Sequence, residues 1–292
     1  MRRLRTHTGF TAIDLVTSLC VLTILIGLLL PSIQQARESA RRTQCAVRLG
    51  QLALALNNYH STFEMLPPGV VNATGPIKPQ QSGYHMGWIV QILPQMDHAN
   101  LYQQVDFTKS IYSVENSTVA SFPYKQLTCP SSVISAGESS YAGCYNDTET
   151  PIDVDNNGVL YLNSSVTWDD LVDGRSNTLF ASEKNPTAVS AAIIRRGRKI
   201  PSSWASGTLA SLRNGSRPLP LNDLIARGSN LTAADLATEA TSVTVGSFSS
   251  WHSSIINIAL GDGSVRTIRD DIDPGILQRL ANRKDAAIVG NF

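Results

Sequence analysis

Charge is scarce in this sequence. Of its 292 residues 16% are Asp, Glu, Lys or Arg, and the net charge is +1. So small a balance lacks the basic footprint with which a protein holds nucleic acid, and no nucleic-acid partner is expected. The one dense basic cluster, Arg195, Arg196, Arg198 and Lys199, reads as a solvated loop. Catalytic signatures are missing as well. There is no serine-nucleophile elbow, no phosphate-cradling glycine loop and no His-Glu-x-x-His, so an enzyme is not expected and no catalytic or cofactor-binding residue is assigned. Cysteine is sparse, and its four copies form no Cys-x-x-Cys pair, which excludes the usual zinc-finger spacing. With 42% hydrophobic residues, the chain nonetheless has the composition of a folded protein and not of a disordered one.

Where charge is most completely absent, apolar residues run unbroken. Between Phe10 and Ser32 only Asp14 is charged, and a run of roughly 20 residues is long enough to cross a bilayer as a helix. A basic leader carrying Arg2, Arg3 and Arg5 precedes it, but Arg37, Arg41 and Arg42 follow, so the positive-inside count does not set the orientation. Pro31 removes a backbone donor and predicts a kink. Beyond it, Leu49, Leu52, Leu56, Tyr59 and Phe63 recur at three- and four-residue steps, which continues the helix with one apolar face until Pro67-Pro68-Gly69 stops it. A helix from residue 10 to about residue 63 would be roughly 80 Å long. The chain thus divides into a leader (1–9), a transmembrane helix (10–32), an amphipathic continuation (33–66) and a globular head (67–292), large enough for a sizeable core.

The head alternates short apolar runs with Pro, Gly, Ser and Asn. Short helices or turns are predicted at 87–93 and 100–107, broken at Pro94, and at 167–172, where Thr167 and Asp170 form a capping pattern. Another helix is predicted at 232–240, opened by Thr232. The turn Asp173-Gly174-Arg175-Ser176-Asn177-Thr178 leads into a strand at 179–182. His252 precedes the apolar run 255–260, then Gly261-Asp262-Gly263-Ser264, then a second run at 265–269, which is a strong hairpin signal. The fold class is α+β, with the long helix packed on an antiparallel sheet.

Three groups in the head are candidates for chemistry. Cys129 and Cys144 bracket a loop and could form a disulfide, the alternative being two buried thiols; Cys20 and Cys45 have no obvious partner. Asp153, Asp155 and Asn157 match the opening of a calcium loop, although the closing acid is replaced by Ser164 and Asp-Asn-Gly is equally turn chemistry. His252 and Asp262 are separated by a strand that should hold their α-carbons about 25 to 30 Å apart. The expectation is therefore structural: His252 anchors the strand and Asp262 shapes the turn.

Gly9-Phe10-Thr11-Ala12-Ile13-Asp14 resembles the amino terminus of bacterial type IV prepilins and type II secretion pseudopilins. The resemblance implies cleavage after Gly9 by a prepilin peptidase and methylation of the new amino terminus at Phe10. It also gives Asp14 a role in aligning subunits during assembly, although that family usually has Glu there, one methylene longer. A proline at the distance of Pro31 is common in pilins. His252 with Asp262-Gly263, Cys129-Pro130-Ser131 and Asp173-Gly174-x-Ser176-Asn177-Thr178 resemble segments of a large bacterial family of prepilin-like proteins whose head has no established activity. The implied protein is a pilin-like or pseudopilin-like structural subunit in the inner membrane, single-pass, with its head outside the cytoplasm. Its partners would be the peptidase, the membrane and other pilin-like subunits in a homo- or hetero-filament, in a pilus or pseudopilus. The alternatives are a permanently anchored module that binds carbohydrate or protein, and an anchored hydrolase.

Overall fold

The computed structural model describes residues 12–78, 80–132, 134, 136–185, 203–216, 246–287 and 289–290. Gly9, Phe10, the basic cluster at 195–199 and the helix expected at 232–240 lie outside them. The long helix is present as α1 (Ala12–Phe63), and it continues through Pro31. The chain forms two compact units, residues 1–43 and 44–292, and α1 contributes to both.

In the first unit α1 is long and apolar enough to cross a membrane, and none of its apolar window is buried by protein. Its few polar side chains turn back on the helix. The hydroxyls of Thr17, Ser18, Thr23 and Ser32 donate to the carbonyls of Ile13, Leu15, Leu19 and Leu29 at 2.8–3.0 Å. Hydrogen-bonding capacity satisfied within the segment is what hydrocarbon surroundings demand. Charge returns one turn beyond the apolar run, where Glu38 pairs with Arg41 at 2.7 Å and with Arg42 at 3.4 Å.

In the second unit the same helix becomes amphipathic. Cys45, Leu49, Leu52, Ala53, Leu56 and His60 are buried, a stripe at three- and four-residue steps. Each fully buried leucine contributes about 2 kcal/mol. The stripe ends on His60, not on Phe63 as the spacing suggested: Phe63 is 50% exposed and packs on Tyr59 with ring centroids 4.4 Å apart.

Past the helix, β1 (Val70–Val71) pairs with β2 (Met86–Gly87), which runs into α2 (Trp88–Gln91). After a 3₁₀ turn at Pro94–Met96 come α3 (Ala99–Tyr102) and α4 (Ser117–Ala120). The main sheet has the order β5-β3-β4-β6-β7, built from β3 (Tyr141–Asn146), β4 (Leu179–Glu183), β5 (Leu212–Asn214), β6 (Ile255–Leu260) and β7 (Val265–Arg269). Its pairs are antiparallel, as the sequence suggests, except that β5 adds to β3 in parallel. Asp273 caps a final helix, α5 (Pro274–Ala281), through Gly275 N at 2.8 Å.

Alternation along the strands builds two cores. Tyr141 and Tyr145 face the α1 side with Leu49, Leu52, Leu56, Trp88 and Trp204. Ala142 and Cys144 face the other side with Ile256, Ile258, Leu277 and Leu280. The sheet is thus sandwiched between the second half of α1 and α5, the α+β arrangement expected, with the second helical layer supplied by an element whose sequence signal was the Asp273-Pro274 start.

Candidate functional site

Among the described residues, the most concentrated chemistry in the head lies where α1 meets the loop before β3. A 3₁₀ turn at Lys125–Leu127 brings Cys129 under the helix. There the loop is fixed by its backbone: Cys129 N donates to Ser140 Oγ at 2.9 Å, and Ser140 N to Leu127 O at 2.7 Å. Helix α1 contributes Cys45, whose carbonyl accepts from Tyr141 Oη at 3.3 Å, and Arg48, whose guanidinium donates to Thr128 O. Cys45 and Cys129 form a disulfide with α-carbons 5.5 Å apart, inside the usual range for that bond.

This corrects both readings the sequence left open for Cys129, which is neither bridged to Cys144 nor left as a thiol. Cys144 is a buried free thiol. It points to the α5 face of the sheet, among Leu277, Leu280 and Ala281, whereas Cys129 meets α1 on the opposite face. Two residues of one strand separated by one position share a face, and adjacent ones do not; proximity in sequence carried no information about which face Cys129 would reach. Burial, then the Asp147 carboxylate, push the Cys144 thiol far up, so it stays protonated.

His252 completes the cluster. Its backbone N–H donates to Ser250 Oγ at 3.0 Å, and its Nε2 lies 3.5 Å from Cys129 Sγ and 4.0 Å from Glu183 Oε1. Cys45 Sγ, Cys129 Sγ and an imidazole nitrogen of His252 all fall within 4.8 Å of one another, and all three residues are buried. Glu183, at the end of β4, is itself held: Oε2 accepts from Ser250 Oγ at 2.7 Å and Asn257 N at 3.2 Å, and Oε1 from Asn257 Nδ2 at 2.9 Å. Neither Cys45 nor Glu183 stood out in the sequence. The one available signal for Glu183 was a carboxylate closing a strand that opens Leu179-Phe180-Ala181. A cleft of about 420 Å³, lined by Arg48, Tyr124, Lys125, Thr128, Pro130 and Glu138, opens beside the loop on either side of Cys129.

Asp262 is at the other end of β6. Its Oδ1 accepts from Ser264 N at 2.9 Å and Ser264 Oγ at 2.6 Å, and Gly263 adopts φ +87°, so Asp262 and Gly263 shape the hairpin turn. Burial works against the Asp262 charge, but hydrogen bonds from Ser264 and Ser176 and the nearby Arg266 outweigh it and lower the pKa. The second motif docks here. Gly174 turns at φ +81°, Asn177 Nδ2 donates to Asp173 O and Thr178 Oγ1 to Gly174 O, both at 3.0 Å, and Gly261 N donates to Thr178 O at 3.0 Å. The two stretches, about ninety residues apart in sequence, therefore clasp one end of the β4–β6 pair, while His252 and Glu183 clasp the other. Asp173 is buried, and burial, then Asp285, raise its pKa.

The calcium-like segment is occupied with turn hydrogen bonds. Asp153 Oδ1 accepts from Val154 N at 2.8 Å, Asn157 Oδ1 from Asp147 N at 2.9 Å, and Asp155 is exposed. A cation is already in place: Arg283 Nη1 donates to Asn156 O at 3.0 Å and Gly158 O at 2.7 Å, with its guanidinium 4.9 Å above the Tyr161 ring. Asp14 lies in the first turn of α1.

A protein-family model described as "Protein of unknown function (DUF1559)" matches residues 34–275. That span holds the second half of α1, the disulfide, both motif stretches and the whole main sheet, and it begins beyond the apolar run. Neither the curated proteins nor the solved structures compared with the chain include a match.

Proposed function

We propose that this chain, which belongs to the DUF1559 family of proteins of unknown function, is a pilin-like or pseudopilin-like structural subunit of the inner membrane. In this reading it is processed after Gly9 and assembled through its amino-terminal helix, with its head outside the cytoplasm. The observation that supports it most is α1 itself. One continuous helix of 52 residues is apolar and uncovered by protein over its first part, and is built into the core of a large α+β head by its last part.

Asp14 supplies the assembly step. In this reading the Asp14 carboxylate meets the free amino terminus of a neighbouring processed subunit and so sets the register between them. Only a chain cleaved at Gly9 presents such an amine beside the apolar run. Prepilin peptidase and other pilin-like subunits are the partners this mechanism needs.

Intact mass and amino-terminal sequencing of the membrane-extracted protein test the proposal. A chain beginning at N-methylated Phe10, with Gly9→Leu leaving it uncut, is the expected result. A chain still beginning at Met1 would overturn it in favour of a permanently anchored binding module.

A further inference from the structure

The geometry points to a second state of the Cys45–Cys129–His252 cluster: with its two thiols reduced, it is a zinc site of two thiolates and one imidazole. The donor set comes first. Two sulfurs and one imidazole nitrogen, all buried and mutually within 4.8 Å, are the soft, borderline ligands that zinc prefers. Shape follows. With Zn–S about 2.3 Å and Zn–N about 2.0 Å, the edge between a sulfur and a nitrogen of a tetrahedral site is about 3.5 Å. Cys129 Sγ and His252 Nε2 already stand 3.5 Å apart. The remaining adjustment is between the sulfurs, which must part to about 3.8 Å once the bond between them is open; side-chain rotation of Cys45 on its helix and Cys129 on its loop can supply it.

Charge also balances. The disulfide is neutral, and so is Zn²⁺ with two thiolates and a neutral imidazole, so loading the metal adds no net charge to a buried position. The Glu183 carboxylate, oriented by Ser250 and Asn257, lies 4.0 Å from the imidazole.

The states interconvert with defined stoichiometry. A newly made chain carries two thiols; Zn²⁺ binds them with release of two protons. Disulfide formation instead removes two electrons and two protons, which an exchanging disulfide oxidant accepts as it becomes a dithiol. Metal and oxidation therefore compete for one pair of sulfurs, and oxidation expels the ion.

The test uses the full chain in detergent, on a Cys20→Ser, Cys144→Ser background that leaves only the two site cysteines. After reduction with a phosphine and its removal, Co²⁺ is titrated as the spectroscopic probe and Zn²⁺ as competitor. One equivalent of Co²⁺ with a thiolate charge-transfer band and tetrahedral ligand-field bands, displaced by Zn²⁺ and absent from the oxidised protein, is the expected result. His252→Ala should weaken binding at least tenfold, and His252→Cys should retain binding with a stronger charge-transfer band. A second measurement needs no substitution: in the reduced wild-type protein, Zn²⁺ should slow alkylation of Cys45 and Cys129. No Co²⁺ bands in the reduced protein, binding indifferent to His252→Ala, or alkylation unaffected by Zn²⁺ would each overturn the proposal.

Discussion

Cys45, on α1, is bonded to Cys129, 84 residues further along the chain. The bond ties the helix to the loop that leads into β3. Closing a loop of this length restricts the unfolded chain by on the order of 4 kcal/mol. Reduction, or Cys45→Ser, should therefore lower the unfolding free energy of the head by that order in a denaturant titration, whereas Cys144→Ser should cost far less. Peptide mapping without reduction should recover Cys45 and Cys129 in one linked fragment. A Cys129–Cys144 fragment would refute the assignment.

Gly69 and Gly263 are both turn glycines with opposite reasons for being glycine. A Cβ at Gly69 would collide with the backbone of Leu160 and Tyr161, whereas at Gly263 nothing lies within 4 Å and only the φ of +87° resists a side chain. Gly69→Ala must push two backbone segments apart, a cost of about 3 kcal/mol. Gly263→Ala should cost about 1 kcal/mol. Thermal melts that ranked them the other way would mean the β1 region yields more readily than its close packing implies.

Local order was legible in the sequence and distant pairing was not. The span of α1, the Thr167–Asp170 capping box and the β6–β7 hairpin around Asp262 and Gly263 all follow from signals within a few residues, because helix periodicity, caps and tight turns are local physics. The partner of Cys129 is set by which face of the sheet its loop reaches. The meeting of Ser176 with Asp262, and of Glu183 with His252, depends on β4 and β6 being neighbours. Nothing within either stretch specifies that pairing. His252 and Asp262 lie beyond opposite ends of β6; what the spacing concealed is that each end of that strand has its own partner.

Arg283 is built into the calcium-like loop. Its guanidinium bonds the carbonyls of Asn156 and Gly158, and its backbone N–H donates to Asn157 O at 3.0 Å. Hydrogen bonds from a charged donor are worth about 2 kcal/mol. Arg283→Ala should lower the unfolding midpoint accordingly, and millimolar calcium should leave the wild-type midpoint unchanged. A calcium-dependent rise in the wild type would return Asp153, Asp155 and Asn157 to the role of ligands.

His60 gives the head a pH dependence. Its ring stacks on Trp168 with centroids 3.7 Å apart, and Arg175 lies 5.3 Å over the same indole. Among the described residues its Nε2 has no hydrogen-bond partner. Burial, then the Arg175 charge, lower its pKa below the ordinary 6.5, with Glu64 opposing; burial lowers that of His85 as well. A histidine held neutral in the fold binds fewer protons than in the unfolded chain, so its contribution is complete above pH 6.5 and is lost as pH falls from there through the folded pKa. The unfolding midpoint should consequently drop between pH 7 and pH 5. Carboxylates titrate in the lower part of that window too, so the comparison that isolates His60 is with His60→Phe, which keeps an aromatic ring against Trp168 and cannot take a proton. The variant should lose less stability over the interval than the wild type. Equal losses would show that the His60 ring accepts its proton in the folded head as readily as in the unfolded chain.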